Sequence, residues 1–335
     1  MTTKITNKTI WNIAYPIILG SLAQTLITLT DTAFLGRVSE IALGASAMAG
    51  IYYYVFSTLA WGFSIGIQII VARRLGEGRL NRIGVVFEHG LCFVFLLSMA
   101  LFLIQRYFSD VLLGASIQSP NIYEAAMEYM SYRHYGIIFV CFNFLFRALY
   151  IGLSNTKIIG YSTAAMATIN VIFNYLLIGG NLGFPRLEVV GASLATILGQ
   201  FVAFGIAVYM ILRPKSYLRI KRGDSFKFDL PMIKRIVNVG IPAMIEQLLM
   251  RAGMIIFSKT VAGLGTVAFA THQVCMNIQA LSFMNGQAFA TSATSLMGQS
   301  LGKKRPDLAQ AYCHRARRLG MMVSLFLGVV FRSEE

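Results

Sequence analysis

Charge is what this sequence has least of. Of its 335 residues only 13% are Asp, Glu, Lys or Arg while 56% are hydrophobic, against roughly 25% and about 45–50% in an ordinary soluble domain. That leaves too few charged groups to clothe a water-facing surface. Cysteine is also sparse. Cys92, Cys141, Cys275 and Cys313 stand alone in apolar or helical stretches, with neither metal-ligand spacing nor the pattern of a disulfide framework, so no structural disulfide is expected. No Gly-x4-Gly-Lys-Ser/Thr run is present to cradle a nucleotide phosphate, which speaks against ATP-driven chemistry in this chain. No nucleophile–base constellation suggests an enzyme.

What fills the chain instead is long apolar blocks. Several approach the roughly 20 residues that one helical crossing of a bilayer needs. The pattern predicts helices near 10–34, 45–72, 83–105, 123–149, 159–178, 190–212, 230–259, 267–297 and 308–331. The first of these follows Lys4 and Lys8, contains Pro16 and runs on to about Phe34. It lacks a short apolar core with a small-residue cleavage site, so it reads as a retained span and not as a signal peptide.

Acidic residues number 14 against 29 basic ones, for a formal net charge of +15. Position explains the excess. Lys4 and Lys8, then Arg73, Arg74, Arg79 and Arg82, then Lys157, then Arg213 to Lys227, then Lys303, Lys304 and Arg305 fall in alternate loops, whereas the opposite loops hold little beyond Arg37, Arg106, Arg186 and Lys259. By the positive-inside rule the N-terminus is cytoplasmic. The basic residues then face anionic headgroups, and membrane lipids, with no nucleic acid, account for the high isoelectric point.

The chain also repeats itself. At an offset of 226, Ile10-Trp11-Asn12-Ile13-Ala14-Tyr15-Pro16 lies over Ile236-Val237-Asn238-Val239-Gly240-Ile241-Pro242, Ala42 over Ala268, Phe63 over Phe289, and Leu75-Gly76-Glu77-Gly78-Arg79 over Leu301-Gly302-Lys303-Lys304-Arg305. Six spans separate the copies, so both run the same way through the membrane, as parallel repeats flanking a central path do. Residues 1–220 form a six-helix lobe and 221–335 three helices of its duplicate. Two complete copies would need about 450 residues, so a C-terminally truncated product or fragment is expected.

Several motifs together resemble the multidrug and toxic-compound extrusion (MATE) family of cation-coupled antiporters. They are Thr30-Asp31-Thr32-Ala33-Phe34-Leu35-Gly36-Arg37 with Ala42-Leu43-Gly44-Ala45, Ala72-Arg73-Arg74-Leu75-Gly76-Glu77-Gly78, Asn170-Val171-Ile172-Phe173-Asn174-Tyr175-Leu176-Leu177, Gly191-Ala192-Ser193-Leu194-Ala195-Thr196, Gly240-Ile241-Pro242 with Glu246, and Gly298-Gln299-Ser300-Leu301-Gly302. The resemblance spans essentially the whole chain. It implies an all-α polytopic membrane protein, a two-lobe helical bundle with about 9 of 12 transmembrane helices in this sequence, multi-pass in a bacterial-type inner membrane.

An ionisable group inside a span is costly and marks function by default. Asp31, toward the outer end of the first helix, and Glu246, about 24 Å of helical rise into the seventh span, are the leading candidates. Asn170 and Asn174 are four apart and share one helical face; on the residues alone they bind either a neighbouring helix or a cation. The resemblance implies that Asp31, Asn170 and Asn174 form a proton or Na+ site, with Glu246 in a second site. Some family members have a second carboxylate where Asn174 stands, which weakens a two-carboxylate relay here. Gln24, Tyr53, Trp61, Gln68, Asn143, Gln200, Gln273 and Asn277 are candidates for a polar substrate path or for helix packing. Arg251 is a candidate ion-pair partner for Glu246, and Arg147 and Lys157 are expected to mark the end of the fourth–fifth helix hairpin.

The reading is antiport of a small organic, cationic or aromatic, substrate by a monomer, coupled to Na+ or H+ and needing no cofactor. Its alternatives are a lipid-linked-saccharide flippase of similar fold and a non-functional fragment.

Overall fold

A computed structural model describes residues 7–117, 119–213, 229–262 and 266–332. The described residues form ten α-helices and no strand: α1 (Asn7–Val38), α2 (Glu40–Gly76), α3 (Leu80–Gly114), α4 (Pro120–Arg133), α5 (Gly136–Gly152), α6 (Lys157–Leu177), α7 (Glu188–Leu212), α8 (Leu230–Ala262), α9 (Thr266–Gly302) and α10 (Pro306–Arg332). All nine expected segments are helical. The fourth differs in being two helices, α4 and α5, bent by 56° across a two-residue break. Helices α1, α2, α3, α7 and α8 are each long and apolar enough to cross a membrane, as is the bent pair taken together. Polar Ser, Thr, Asn and Gln residues in α9, and His314, Arg315, Arg317 and Arg318 in α10, lower the apolarity of those two. All four cysteines are free. The boundary expected at 220/221 and the basic run from Lys215 to Lys227 fall outside the described residues.

Pro16 lies inside α1. A proline lacks the N–H that would bond the carbonyl four residues back, so Asn12 is left with a free acceptor in an apolar environment. The Thr156 hydroxyl, just before α6, donates to that Asn12 carbonyl at 3.3 Å. The break in α1's ladder is thereby met by a neighbouring helix, as spans tolerate it. At the start of α2, Ser39 accepts from the Ala42 amide at 3.0 Å, a side-chain cap for an otherwise orphan donor.

The two repeats meet on equivalent residues. Helices α2 and α9 are related by the offset of 226, and they cross where Ala72 meets Gly298 and Gly76 meets Gly302. A Cβ on Gly298 would stand 2.9 Å from the Ala72 Cβ; one on Gly302 would run into the Arg73 carbonyl, and one on Gly76 into that of Gln299. Repeat-equivalent positions touching one another is the mark of a local two-fold axis, and here it passes between α2 and α9. The turns that follow these helices match bond for bond. Glu77, Gly78 and Arg79 amides donate to the carbonyls of Arg73, Leu75 and Arg74; Lys303, Lys304 and Arg305 amides donate to those of Gln299, Leu301 and Ser300. Gly78 has φ +72°, and its counterpart Lys304 takes φ +57° without the freedom of glycine.

The same axis governs the flanking contacts. Gly62 and Gly66 let α2 lie directly on α8: their Cβ atoms would approach Met244 Cα to 2.6 Å and Gly240 Cα to 2.7 Å. Phe63 packs on Gly240, and its equivalent Phe289 packs edge-on against Trp11 of α1, with ring centroids 5.3 Å apart. Helix α5 joins the seam through Ser295, whose hydroxyl donates to the Ile151 carbonyl at 2.7 Å, and Gln299, whose amide donates to Ser154 at 2.7 Å.

Basic residues cluster at this end of the seam. Arg74 sits 2.6 Å from Glu77, with Arg73 at 3.5 Å and Arg79 at 3.7 Å. Desolvation opposes the Glu77 charge, but the Arg74 hydrogen bond and the three guanidinium charges outweigh it and hold the carboxyl below its usual range. Asp229 ties the second repeat to α3: it pairs with Arg82 at 3.2 Å, caps α8 through the Met232 amide at 3.0 Å, and its own amide donates to His89 Nε2 at 3.0 Å.

Gly302→Leu, which forces a side chain into the Arg73 backbone, is expected to cost about 1–3 kcal/mol, measured as a lowered melting temperature of the detergent-solubilised protein. Lys304→Gly, which removes left-handed strain worth roughly 1 kcal/mol, should raise it. Because the Glu77 carboxyl is held below its unfolded range, its contribution is present above that range and lost as pH falls through the folded value. Glu77→Gln should therefore lower the melting temperature at neutral pH and leave it unchanged in acid.

Candidate functional site

Three helices bring four polar side chains together in the first repeat. Asp31 lies on α1, Asn170 and Asn174 on adjacent turns of α6, and Thr196 on α7. Both asparagines are fully buried and Asp31 is half-buried. Asn174 Nδ2 donates to Asp31 Oδ1 at 2.5 Å and to Asn170 Oδ1 at 3.2 Å. Asn170 Nδ2 donates to Thr196 Oγ1 at 3.3 Å, and Thr196 donates in turn to the Ala192 carbonyl at 2.9 Å. Gly199, one turn from Thr196, lets α7 approach the Met166 carbonyl of α6, which a Cβ would meet at 3.0 Å. The close approach is what puts Thr196 within reach of Asn170.

This arrangement uses up the Asn174 donors and leaves its Oδ1 buried without a partner. A carboxylate and an unfilled amide oxygen side by side are hard oxygen donors. Only one carboxylate is present, and among the described residues no group of three or more His, Cys, Asp or Glu gathers. That donor set fits a monovalent ion or a proton better than a divalent metal.

Beside Asp31 stands a cation that the sequence reading passed over. Arg133, the last residue of α4, holds its guanidinium 4.1 Å above the Tyr53 ring and interacts electrostatically with Asp31, Tyr53 and Tyr129. Its Nη1 and the Tyr53 hydroxyl are both buried without hydrogen-bond partners. Gly136 makes the spot possible, since a Cβ there would lie 3.3 Å from the Tyr53 oxygen, 3.1 Å from Ile197 and 3.8 Å from Arg133 Nη1. The signal available for Arg133 was its place inside the predicted 123–149 span, where the cost of charge is the same as for Asp31.

Two more arginines within spans are held by aromatic rings in the same way: Arg147 lies 5.7 Å from Trp61 and Arg251 4.2 Å from Tyr54. Arg251 also donates to the Tyr54 hydroxyl at 2.8 Å. It therefore serves α2, and the six ion pairs of the described residues do not include Glu246 with it. Glu246 itself is exposed on α8. Arg147 lies in α5 five residues before its end, and Lys157 opens α6.

The remaining path candidates are spread through the bundle. Gln68 is buried in the seam, donating to the Thr291 carbonyl at 3.3 Å. Asn143 and Gln200 satisfy each other, with Asn143 Nδ2 2.8 Å from Gln200 Oε1. Trp61 packs edge-on against Phe144 at 5.3 Å. Gln24 is exposed. The side chains of Gln273 and Asn277 lie outside the described residues.

The MatE family model matches residues 16–176 and 242–333, one segment in each repeat. The chain is 25% identical over 327 residues to a probable multidrug resistance protein NorM of Thermotoga maritima, covering 96% of this chain and 69% of that one. It is 28% identical over 325 residues to the probable NorM of Bradyrhizobium diazoefficiens, covering 96% and 67%. With the multidrug resistance protein MdtK of Yersinia enterocolitica it shares 26% over 327 residues, covering 96% and 71%. Among solved structures, a multidrug resistance MATE family transporter in an outward-facing conformation superposes with a TM-score of 0.88 at 23% identity, and a MOP superfamily transporter from Pyrococcus furiosus with 0.88 at 22%; each pairing covers 96% of this chain and 70% of the other. With the duplicated helices, the axis at α2 and α9 and the matched segments in both repeats, the chain belongs to the MatE family of multidrug efflux transporters.

Proposed function

We propose that the chain exports small organic molecules, cationic or aromatic in character, across a bacterial inner membrane by exchange for Na+ or H+. The observation that carries this reading is the Asp31 centre: a half-buried carboxylate bonded by Asn174, with an unfilled Asn174 oxygen beside it. A cation bound there neutralises the carboxylate and fills the open acceptor at once. Binding would then favour the arrangement of α1, α6 and α7 that brings both oxygens together, and substrate would favour another. Coupling follows from the difference in each ligand's affinity for the two arrangements.

Asn170 and Thr196 act as positioning groups: Asn170 accepts one Asn174 N–H and so fixes which way the amide points, and Thr196 holds Asn170 by accepting from its Nδ2. Glu246, exposed on α8 and one turn past Pro242, is proposed as a second acidic site in the other repeat. The membrane-seated lobe acts as a monomer with lipid around it. A saccharide-flippase reading would need free cationic groups along the path; Arg133, Arg147 and Arg251 are each engaged by an aromatic ring, which favours the antiporter.

The test is efflux of a panel of aromatic cationic dyes from proteoliposomes under an imposed Na+ or H+ gradient. One of the two gradients is expected to drive efflux, and Asp31→Asn to abolish the drive while the protein still folds. Glu246→Gln should reduce it less. Gradient-driven efflux that survives Asp31→Asn unchanged refutes the assignment. Thr196→Val, which removes the acceptor for Asn170, should cost about 1 kcal/mol of stability and weaken the half-saturating ion concentration several-fold, read in the same assay.

A further inference from the structure

We propose that Arg133 is a tethered counter-cation that competes with the coupling ion for the Asp31 centre. The inference rests on the reading of Asp31 as a cation site, and it concerns what holds that site when the ion has left. Burying a lone carboxylate in a span is costly. An exchanger must nevertheless release its ion at some stage of each cycle, so a resident charge that takes the ion's place would lower the cost of release.

Arg133 has the position and the unmet bonding for this role. Its guanidinium rests on the Tyr53 face 4.1 Å away, yet one N–H is buried with no acceptor. Asn174 Oδ1 is buried with no donor. The unmet acceptor belongs to the amide that bonds Asp31, and Asp31 interacts electrostatically with Arg133 although the two form no ion pair within 4.0 Å among those described. A shift of the guanidinium from Tyr53 toward Asp31 and Asn174 would satisfy both atoms together. A bound external cation would repel the guanidinium and return it to the ring.

The backbone at Arg133 is built for such a shift. The residue ends α4 at the 56° bend, and only His134 and Tyr135 separate it from α5. The bend leaves the arginine on a helix end that is not locked into a continuous span. Gly136 keeps the space between Arg133 and Tyr53 clear of a side chain. Tyr53 serves as the alternative seat, its ring face attracting the cation without a competing carboxylate. Arginine suits this better than lysine alone would suggest, because its planar fork can engage a carboxylate and an amide oxygen in one plane.

The experiment uses the full chain in proteoliposomes and reads the concentration of driving ion, Na+ or H+ according to which gradient powers the wild type, that gives half-maximal dye efflux. Arg133→Gln removes one unit of competing charge, which near a half-buried carboxylate is worth about tenfold or more in cation affinity. The half-saturating ion concentration is expected to fall by at least about tenfold, with slower turnover because the ion is released reluctantly. Arg133→Lys, which keeps the charge, should restore it to within a few-fold of wild type. A half-saturation in Arg133→Gln that is unchanged or higher, in protein whose melting temperature shows it folded, overturns the proposal. If Arg133→Gln does not fold, the same comparison between wild type and Tyr53→Leu, which removes the alternative seat and should raise the half-saturating concentration, decides it. Failure of both gradients to drive the wild type would instead refute the cation-site reading on which the inference stands.

Discussion

The close crossing of α2 and α9 is the constraint on which the rest of the structure depends. Residues related by the internal repeat, Ala72 with Gly298 and Gly76 with Gly302, meet there with no room for larger side chains. Backbone approach of this kind is the usual source of helix affinity in a membrane, where lipid tails compete for apolar surface and packing must supply the difference. Once that contact is made, the pseudo-two-fold relation places α8 on Gly62 and Gly66 and brings Trp11 of α1 against Phe289. The seam holds α1 and α2 while α6 and α7 pack away from it, so the Asp31 centre is assembled from one helix that belongs to the seam and two that do not. A change at the seam can therefore reach the site through α1.

Electrostatics inside the bundle follow a second rule. Arg133, Arg147 and Arg251 each lie over an aromatic ring, while Asp31 is met by an amide. Opposite charges are thus kept near one another without being joined. A permanent Arg–Asp pair would leave no place for an exchangeable ion. Separate seating on Tyr53 and Asn174 leaves the carboxylate open to an exchangeable partner, as the proposed ion coupling requires.

Much of this was legible in the sequence, for identifiable reasons. Low charge and long apolar blocks told of spans, and an offset that preserves Pro, Asn, Gly and Arg told of duplication, because those residues answer to backbone geometry. The Pro16 and Pro242 pair and the matched turns at Gly78 and Lys304 are where that shows. Asn170 and Asn174 declared themselves by a spacing of four. The break between α4 and α5 did not, since a lone Gly136 is as compatible with close packing as with a bend. Thr196 was quoted only as part of a motif, because a threonine that bonds an asparagine across helices has no periodic signature. Arg133 carries the same signal as Asp31, a charge inside a predicted span, with no spacing motif to single it out. Gln68, Asn143 and Gln200, candidates for path or for packing alike, bond across helices, and polarity alone does not distinguish the two roles.

On the proposed function, cation and substrate are bound in opposition through the Asp31 centre. The most direct measurement is ion release from purified, ion-loaded protein in detergent when an aromatic cationic dye is added, following 22Na+ and a pH indicator in parallel. Dye binding is expected to expel one of the two ions from the wild type and none from Asp31→Asn. Dye binding with neither ion released, or identical release from the two proteins, would contradict it.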